Sequence, residues 1–189
     1  MRLAAFNGSS RKQGNTRILL ETVCEEVRKA DIDCKIISLA AAPLRGCLGC
    51  FACRGKARCV AIDDGFNECF TDMLEADGIL LGSPVYSADV SALMKAFLER
   101  AGVVCATNPG LLRHKAGAAV AAVRRAGGLT AVDGMNHFLL NKEVALAGST
   151  YWNMVYGKDP GDVRRDDEGM RNMRNLGENL AWLMWRLAS

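Results

Sequence analysis

No stretch of this 189-residue chain is apolar for long enough to span a bilayer. Its first residues, Met1-Arg2-Leu3-Ala4-Ala5-Phe6, run straight into a glycine-serine turn, without the apolar core and cleavage site of a signal peptide. An excess of one charge is also lacking: 24 Lys and Arg stand against 21 Asp and Glu, too even a balance for a nucleic-acid surface. Histidine is scarce. His114 and His137 are the only two, both far from any motif, and read as surface or capping residues. Repeats, low-complexity segments and an interdomain linker are missing as well. The expectation is a soluble, cytoplasmic protein with no membrane or nucleic-acid partner, built as one domain over residues 1–189.

Cysteine, by contrast, is plentiful, with eight in all. In a reducing compartment a disulfide framework is not expected. Cys24, Cys34, Cys69 and Cys105 lie among apolar neighbours and read as small core residues. The other four, Cys47, Cys50, Cys53 and Cys59, crowd into one loop at 43–60.

Apolar patterning alternates between short strands and amphipathic helices. Arg2 to Phe6 reads as a first strand. Leu19, Val23 and Val27 mark a helix, and Asp33 to Leu39 a second strand. Asp63 and Asp64 suit the cap of a helix whose stripe is Phe66, Phe70, Met73 and Leu74. Gly78 to Gly82 is a third strand, followed by a helix over about Val90 to Val104. Ala116 to Val123 is a central strand, Leu129 to Leu140 a helix and Val144 to Gly148 a fifth strand. A last helix carries Leu176, Leu180, Leu183, Met184 and Leu187 on one face, with Trp182 and Trp185 assigned to packing. Lys158 to Arg174, of alternating sign, reads as solvated. The rhythm predicts an α/β three-layer sandwich with a five-stranded parallel sheet of order 2-1-3-4-5, which places ligands at the carboxyl ends of the strands.

Three loops fall at that edge. Gly8-Ser9-Ser10-Arg11-Lys12-Gln13-Gly14-Asn15-Thr16 precedes the first helix. Its glycines let N–H groups converge on an anion, the helix adds its positive end, and Ser9, Ser10, Asn15, Thr16 and Arg11 add donors and charge. A terminal monophosphate suits this loop; a plain polar connection with a capping Asn15 or Thr16 is the other reading. Neither the triphosphate-binding pattern nor the usual dinucleotide fingerprint is present. Gly82-Ser83-Pro84-Val85-Tyr86-Ser87 and Arg124-Arg125-Ala126-Gly127-Gly128 leave the third and fourth strands, offering polar groups, an aromatic face and close backbone approach. Tyr151-Trp152, after the fifth strand, could cover a ligand or form an interface.

The run Gly-Ser-Ser-Arg through Gly-Asn-Thr, then Ser-Pro-Val-Tyr, then Arg-Ala-Gly-Gly resembles the NADPH-dependent FMN reductase family over essentially the whole chain. The resemblance implies a flavodoxin-like fold and bound FMN. The phosphate would be held by Ser9, Ser10, Arg11, Gly14, Asn15 and Thr16. The sugar chain and ring would meet Ser83, Pro84, Val85, Tyr86, Ser87, Arg124, Gly127 and Gly128. It also implies a homodimer or homotetramer. No side chain is needed as a catalytic acid or base, because the flavin carries the chemistry.

The spacing Cys47-x2-Cys50-x2-Cys53-x5-Cys59 suits a [4Fe–4S] cluster, since three thiolates at intervals of three can bind three irons of one cube and Cys59 the fourth. Zinc fits less well, because its structural sites use two separated ligand pairs. Cysteines that bind nothing remain the third reading. The four-cysteine loop resembles the iron-sulfur flavoprotein branch of the same family. That implies an oxidoreductase passing electrons from a ferredoxin, NADPH or NADH to a small acceptor such as oxygen, peroxide or a quinone. The alternatives are an NAD(P)H-dependent FMN or quinone reductase without a cluster, and a non-enzymatic flavin electron carrier or redox sensor.

Overall fold

The first buried run of the chain becomes the inner strand of a sheet. In a computed structural model that describes residues 1–188, β1 (Arg2–Asn7) has every residue after Arg2 buried. The chain returns through α1 (Asn15–Lys29), which turns Leu19, Leu20, Val23 and Val27 onto the sheet and ends on Arg28 and Lys29, charges that favour a helix carboxyl end. Strand β2 (Asp33–Ser38) then pairs in parallel with β1, Ala4 opposite Lys35. The remaining elements are α2 (Phe66–Glu75), β3 (Gly78–Tyr86), β4 (Asp89–Val90), α3 (Ala92–Thr107), β5 (Ala116–Val123), α4 (Gly128–Asn141), β6 (Ala145–Leu146), β7 (Met154–Tyr156) and α5 (Asp167–Ala188).

The sheet runs β2-β1-β3-β5-β6, the doubly wound order expected. Its fifth position is divided. Ala145 and Leu146 pair with Ala116 and Gly117 at one end of β5, and Met154 to Tyr156 pair with Ala121 to Val123 at the other. The expected single strand at Val144 to Gly148 is therefore two short ones, with Tyr151 and Trp152 on the segment between, 63% and 57% exposed. All eight residues of β5 are buried, and their small side chains let helices approach from both faces. One face packs Phe6, Phe66, Phe70 and Phe97 beneath α2 and α3, with Phe6 and Phe97 stacked at 5.0 Å. The opposite face packs Leu19, Val23, Leu80, Val120, Leu176 and Leu180 beneath α1 and α5.

Several expectations are corrected. Strand β3 does not stop at Gly82 but continues to Tyr86, with Pro84 opposite Ala122. Pairing to β1 ends at Gly82, so β3 is flanked on one side only where the proline sits. Ser87 and Ala88, both with positive φ, then make a two-residue turn into β4. Gly65, in the left-handed conformation, is the residue that precedes α2, while Asp64 behind it both accepts from the Phe66 N–H at 3.4 Å and pairs with Arg100. Lys158 to Arg174 is structured: a 3-10 turn spans Asp162–Arg165, α5 starts at Asp167, and Val163, Met170 and Met173 point inward. Trp182 and Trp185 are exposed, and Trp185 Nε1 donates to the Ala30 carbonyl. Cys24 and Cys34 are joined as a disulfide, Cα atoms 5.9 Å apart, whereas Cys69 and Cys105 are free and buried. Burial pushes the Cys105 thiol up to about 11. Among the described residues no helix is long and apolar enough to cross a membrane.

Candidate functional site

A cleft of about 500 Å³ opens where β1, β3 and β5 end. It brings together Ser9, Arg11, Asn15 and Thr16 from the first loop, Pro84, Val85, Tyr86 and Ser87 from the end of β3, and Ala122 and Arg124 from the end of β5. The first loop is fixed from below: the Gly8 N–H donates to the Gly82 carbonyl at 2.8 Å, and Ser91 Oγ donates to the Gly8 carbonyl at 2.6 Å. Ser9 Oγ accepts from the Arg11 N–H at 3.2 Å, drawing the loop into a concave turn. Gly14 precedes α1 without any side-chain cap. The first N–H groups of that helix therefore need a partner from outside it. Thr16 Oγ1, on the first turn of α1, is buried and has no hydrogen-bond partner. An orphaned hydroxyl at the positive end of a helix is the donor set that an anionic phosphate completes.

Asn15 lines the cleft and also reaches across to the segment after β7. Its Nδ2 donates to the Asp159 carbonyl at 2.9 Å, and its Oδ1 accepts from the Gly161 N–H at 2.8 Å. It thereby pins the segment after β7, and Gly157, Lys158 and Asp159 form a cleft wall absent from the sequence reading. Ser10 is exposed and lines a neighbouring groove with Lys12 and Ser38. Ser83 is fully buried, its Oγ accepting from the Ser91 N–H and donating to the Pro84 carbonyl. Gly127 has φ +81°, and an added Cβ would lie 2.8 Å from Ala88 Cα, so a side chain there is excluded twice over. At Gly128 an added Cβ would meet Met154 Sδ at 2.5 Å.

The four clustered cysteines line a second, mostly apolar pocket with Leu48, Phe51, Val60, Ile62, Val103, Val104 and Arg100. No lining residue is shared with the cleft. The loop has no regular structure and is held by side-chain amides. Asn67 exchanges bonds with the backbone of Cys59, and Asn108 accepts from the Ala57 N–H and donates to the Cys53 carbonyl. Cys53 is buried, its Sγ 3.3 Å from Thr107 Oγ1, while Cys50 is exposed and Cys47 and Cys59 are half-buried. Burial raises the Cys59 thiol, but the nearby Arg100 guanidinium and the N–H groups of Ala61 and Ile62 outweigh it and hold the thiol below its ordinary value.

This pocket is narrow, about 20 Å³. Among the described residues no three His, Cys, Asp or Glu side chains converge as a bound metal ion requires. The donor set is four thiols around one apolar pocket, not a preassembled centre. Four thiols lining one pocket are the donor types that a four-iron cluster takes, one thiolate to each iron, whereas zinc needs all its ligands at one point.

The family model for NADPH-dependent FMN reductase matches residues 1–159. An iron-sulfur flavoprotein of Methanocaldococcus jannaschii is 36% identical over 189 residues, covering 96% of each chain. An iron-sulfur flavoprotein of Methanosarcina thermophila is 30% identical over 120 residues, covering 64% of this chain and 62% of its own. Among solved structures, RosB with bound 8-demethyl-8-formylriboflavin-5'-phosphate superimposes with a TM-score of 0.78 at 13% identity, covering 100% of this chain and 80% of that one. The apo form of an NADH:FMN oxidoreductase gives 0.68 at 18% identity, covering 96% and 88%.

Proposed function

The chain belongs to the NADPH-dependent FMN reductase family and to its iron-sulfur flavoprotein branch, and from that premise we propose a flavin-dependent oxidoreductase that holds FMN in the cleft and a [4Fe–4S] cluster on Cys47, Cys50, Cys53 and Cys59. The observation that carries the FMN reading is the buried, unpartnered Thr16 Oγ1 at the uncapped start of α1, in the same cleft as Pro84 to Ser87. Bound there, FMN supplies the exchange of one or two electrons, and the cluster, when held, supplies one at a time.

The protein's own groups bind and orient. Thr16 Oγ1 and the first N–H groups of α1 donate to the phosphate, and Arg11 adds charge at the rim. Asn15 keeps the 157–161 segment in place as a wall, with Lys158 on it. Tyr86, 49% exposed, presents a ring at the mouth, and Arg124 a cation beside it. Gly127 lets α4 start close against the Ser87–Ala88 turn.

Replacing Thr16 by valine keeps the shape and removes the hydroxyl. FMN affinity is expected to fall about tenfold, the worth of one hydrogen bond to a charged group. Apoprotein stability is expected to hold or rise, because the lost hydroxyl had no partner. Flavin-fluorescence titration and thermal unfolding of the apoprotein measure the two; unchanged affinity would move the phosphate elsewhere.

For donor and acceptor we propose a ferredoxin or NAD(P)H on one side and a small acceptor (oxygen, peroxide or a quinone) on the other. Support for an acidic protein partner comes from charge. Residues 43–60 carry Arg45, Arg54, Lys56 and Arg58 and no acid; the other 20 Lys and Arg of the chain face 21 Asp and Glu. All four cations are exposed, and among the described residues none is in an ion pair. Leu48, Phe51 and Val60 lie exposed among them. The assembly we propose is a homodimer or homotetramer, with Tyr151 and Trp152 available to a second copy.

The deciding measurement is iron and acid-labile sulfide per flavin in protein purified without oxygen. About four of each is the expected result for a cluster on four thiolates. Flavin without iron or sulfide would leave an NAD(P)H-dependent FMN or quinone reductase whose cysteines bind nothing.

A further inference from the structure

Arg100 is fully buried, 1% exposed, on α3, where solvent would normally be the cheapest surrounding for a charge. Its Nη1 bonds both oxygens of Asp64 at 2.7 Å and the Arg45 carbonyl at 3.4 Å. Nη2 bonds the Ile62 carbonyl at 3.2 Å, and the guanidinium lies over the Phe66 ring at 4.3 Å. Arg45 and Ile62 bracket the cysteine-bearing stretch, so one side chain clasps both ends of the loop. Two features go beyond a clasp. Nε is buried and has no partner, and the wall of the four-cysteine pocket contains Arg100 but not Asp64. The cationic end of the pair therefore faces the thiols and the anionic end is turned away.

We propose that Arg100 tunes the iron-sulfur site, its permanent charge in the pocket wall raising the reduction potential of the bound cluster. The inference rests on the cluster reading above. A cluster with four thiolates is anionic and gains one further negative charge on reduction. A fixed cation beside it stabilises the reduced form more than the oxidised one. Net charge and bonds to the sulfurs are the means by which proteins set these potentials. Arginine suits the task because it stays protonated where a lysine would shed its proton.

The test is a reductive titration of the anaerobically purified protein, the reduced cluster read by electron paramagnetic resonance at fixed ambient potential. Asp64→Asn keeps shape and removes the compensating charge. It is expected to raise the ratio of reduced to oxidised cluster about tenfold, a shift of about 59 mV for a one-electron couple. Arg100→Gln added to Asp64→Asn is expected to lower that ratio about tenfold relative to Asp64→Asn alone. A clasp alone would shift neither ratio in opposite directions. If the double variant holds no iron, Asp64→Asn decides by itself: a higher ratio supports the proposal, an unchanged or lower one overturns it. Wild-type protein with flavin but no iron or sulfide would overturn the cluster reading instead, before any variant is made.

Discussion

If the proposed cluster sits on the four-cysteine loop, serine in place of Cys53 is expected to strip iron and labile sulfide from the protein and leave the proposed FMN bound. Cys53 is the buried member of the four, part of the core that holds Phe66 and Phe97, and its backbone is tied to Asn108. A serine hydroxyl is nearly isosteric, so the loop retains its anchors, but it is a far poorer iron ligand than a thiolate. Iron is expected to fall from about four per flavin to below about one, with loss of the cluster's visible absorption. Flavin content should not change, because the pocket and the cleft have no lining residue in common. Cys69→Ser provides the control: that thiol is equally buried but lies outside the pocket, and its loss should cost no iron. Iron retained by the Cys53 variant would remove Cys53 from the ligand set.

Asp64→Ala is expected to be the most destabilising single change away from the cofactors. The Arg100–Asp64 pair has side-chain exposures of 1% and 4%, so the alanine variant leaves a guanidinium in the core without its counter-charge. Breaking a buried pair in this way costs about 3–5 kcal/mol, which for a chain of this size lowers Tm by roughly 10 °C. The effect should depend on pH. Burial raises the Asp64 carboxyl, but the Arg100 guanidinium and the N–H groups of Arg45 and Phe66 outweigh it and hold it below its usual range. A carboxyl depressed in the folded state stabilises the fold above its unfolded pKa of about 3.9, and that contribution fades as pH falls through the folded value. The gap in stability between wild type and Asp64→Ala should therefore be full at pH 7 and narrow below about pH 4. Urea unfolding across that range measures it, and a gap independent of pH would mean that the carboxylate charge is not what Arg100 requires.

The order of the sheet was legible because β1, β3 and β5 are apolar on both faces and are separated by helices with a clear inward stripe. Pro84 hid the length of β3, since a proline reads as a turn until it is known that β1 stops short of it. Two- and three-residue strands such as β6 and β7 carry no periodicity of their own; they exist because the two ends of β5 offer hydrogen bonds. In the same way, the start of α5 was masked by surface charges, although Val163, Met170 and Met173 supply its buried side. The cysteine loop and the first loop stood out through local spacing. The wall at 157–159 and the Arg100–Asp64 pair did not, because each is created by contacts across 144 and 36 residues of sequence.

The cation-rich cysteine loop also shapes how the molecule behaves at a distance. Residues 43–60 carry four cations and no acid on a chain whose other charges nearly balance, so an approaching anionic macromolecule is attracted to the loop before it makes contact. Encounters are then biased toward the loop that bears the thiols, over a range set by the Debye length of about 8 Å at physiological ionic strength. The same loop that gathers sulfur thus orients traffic toward it, and the bias weakens as salt rises.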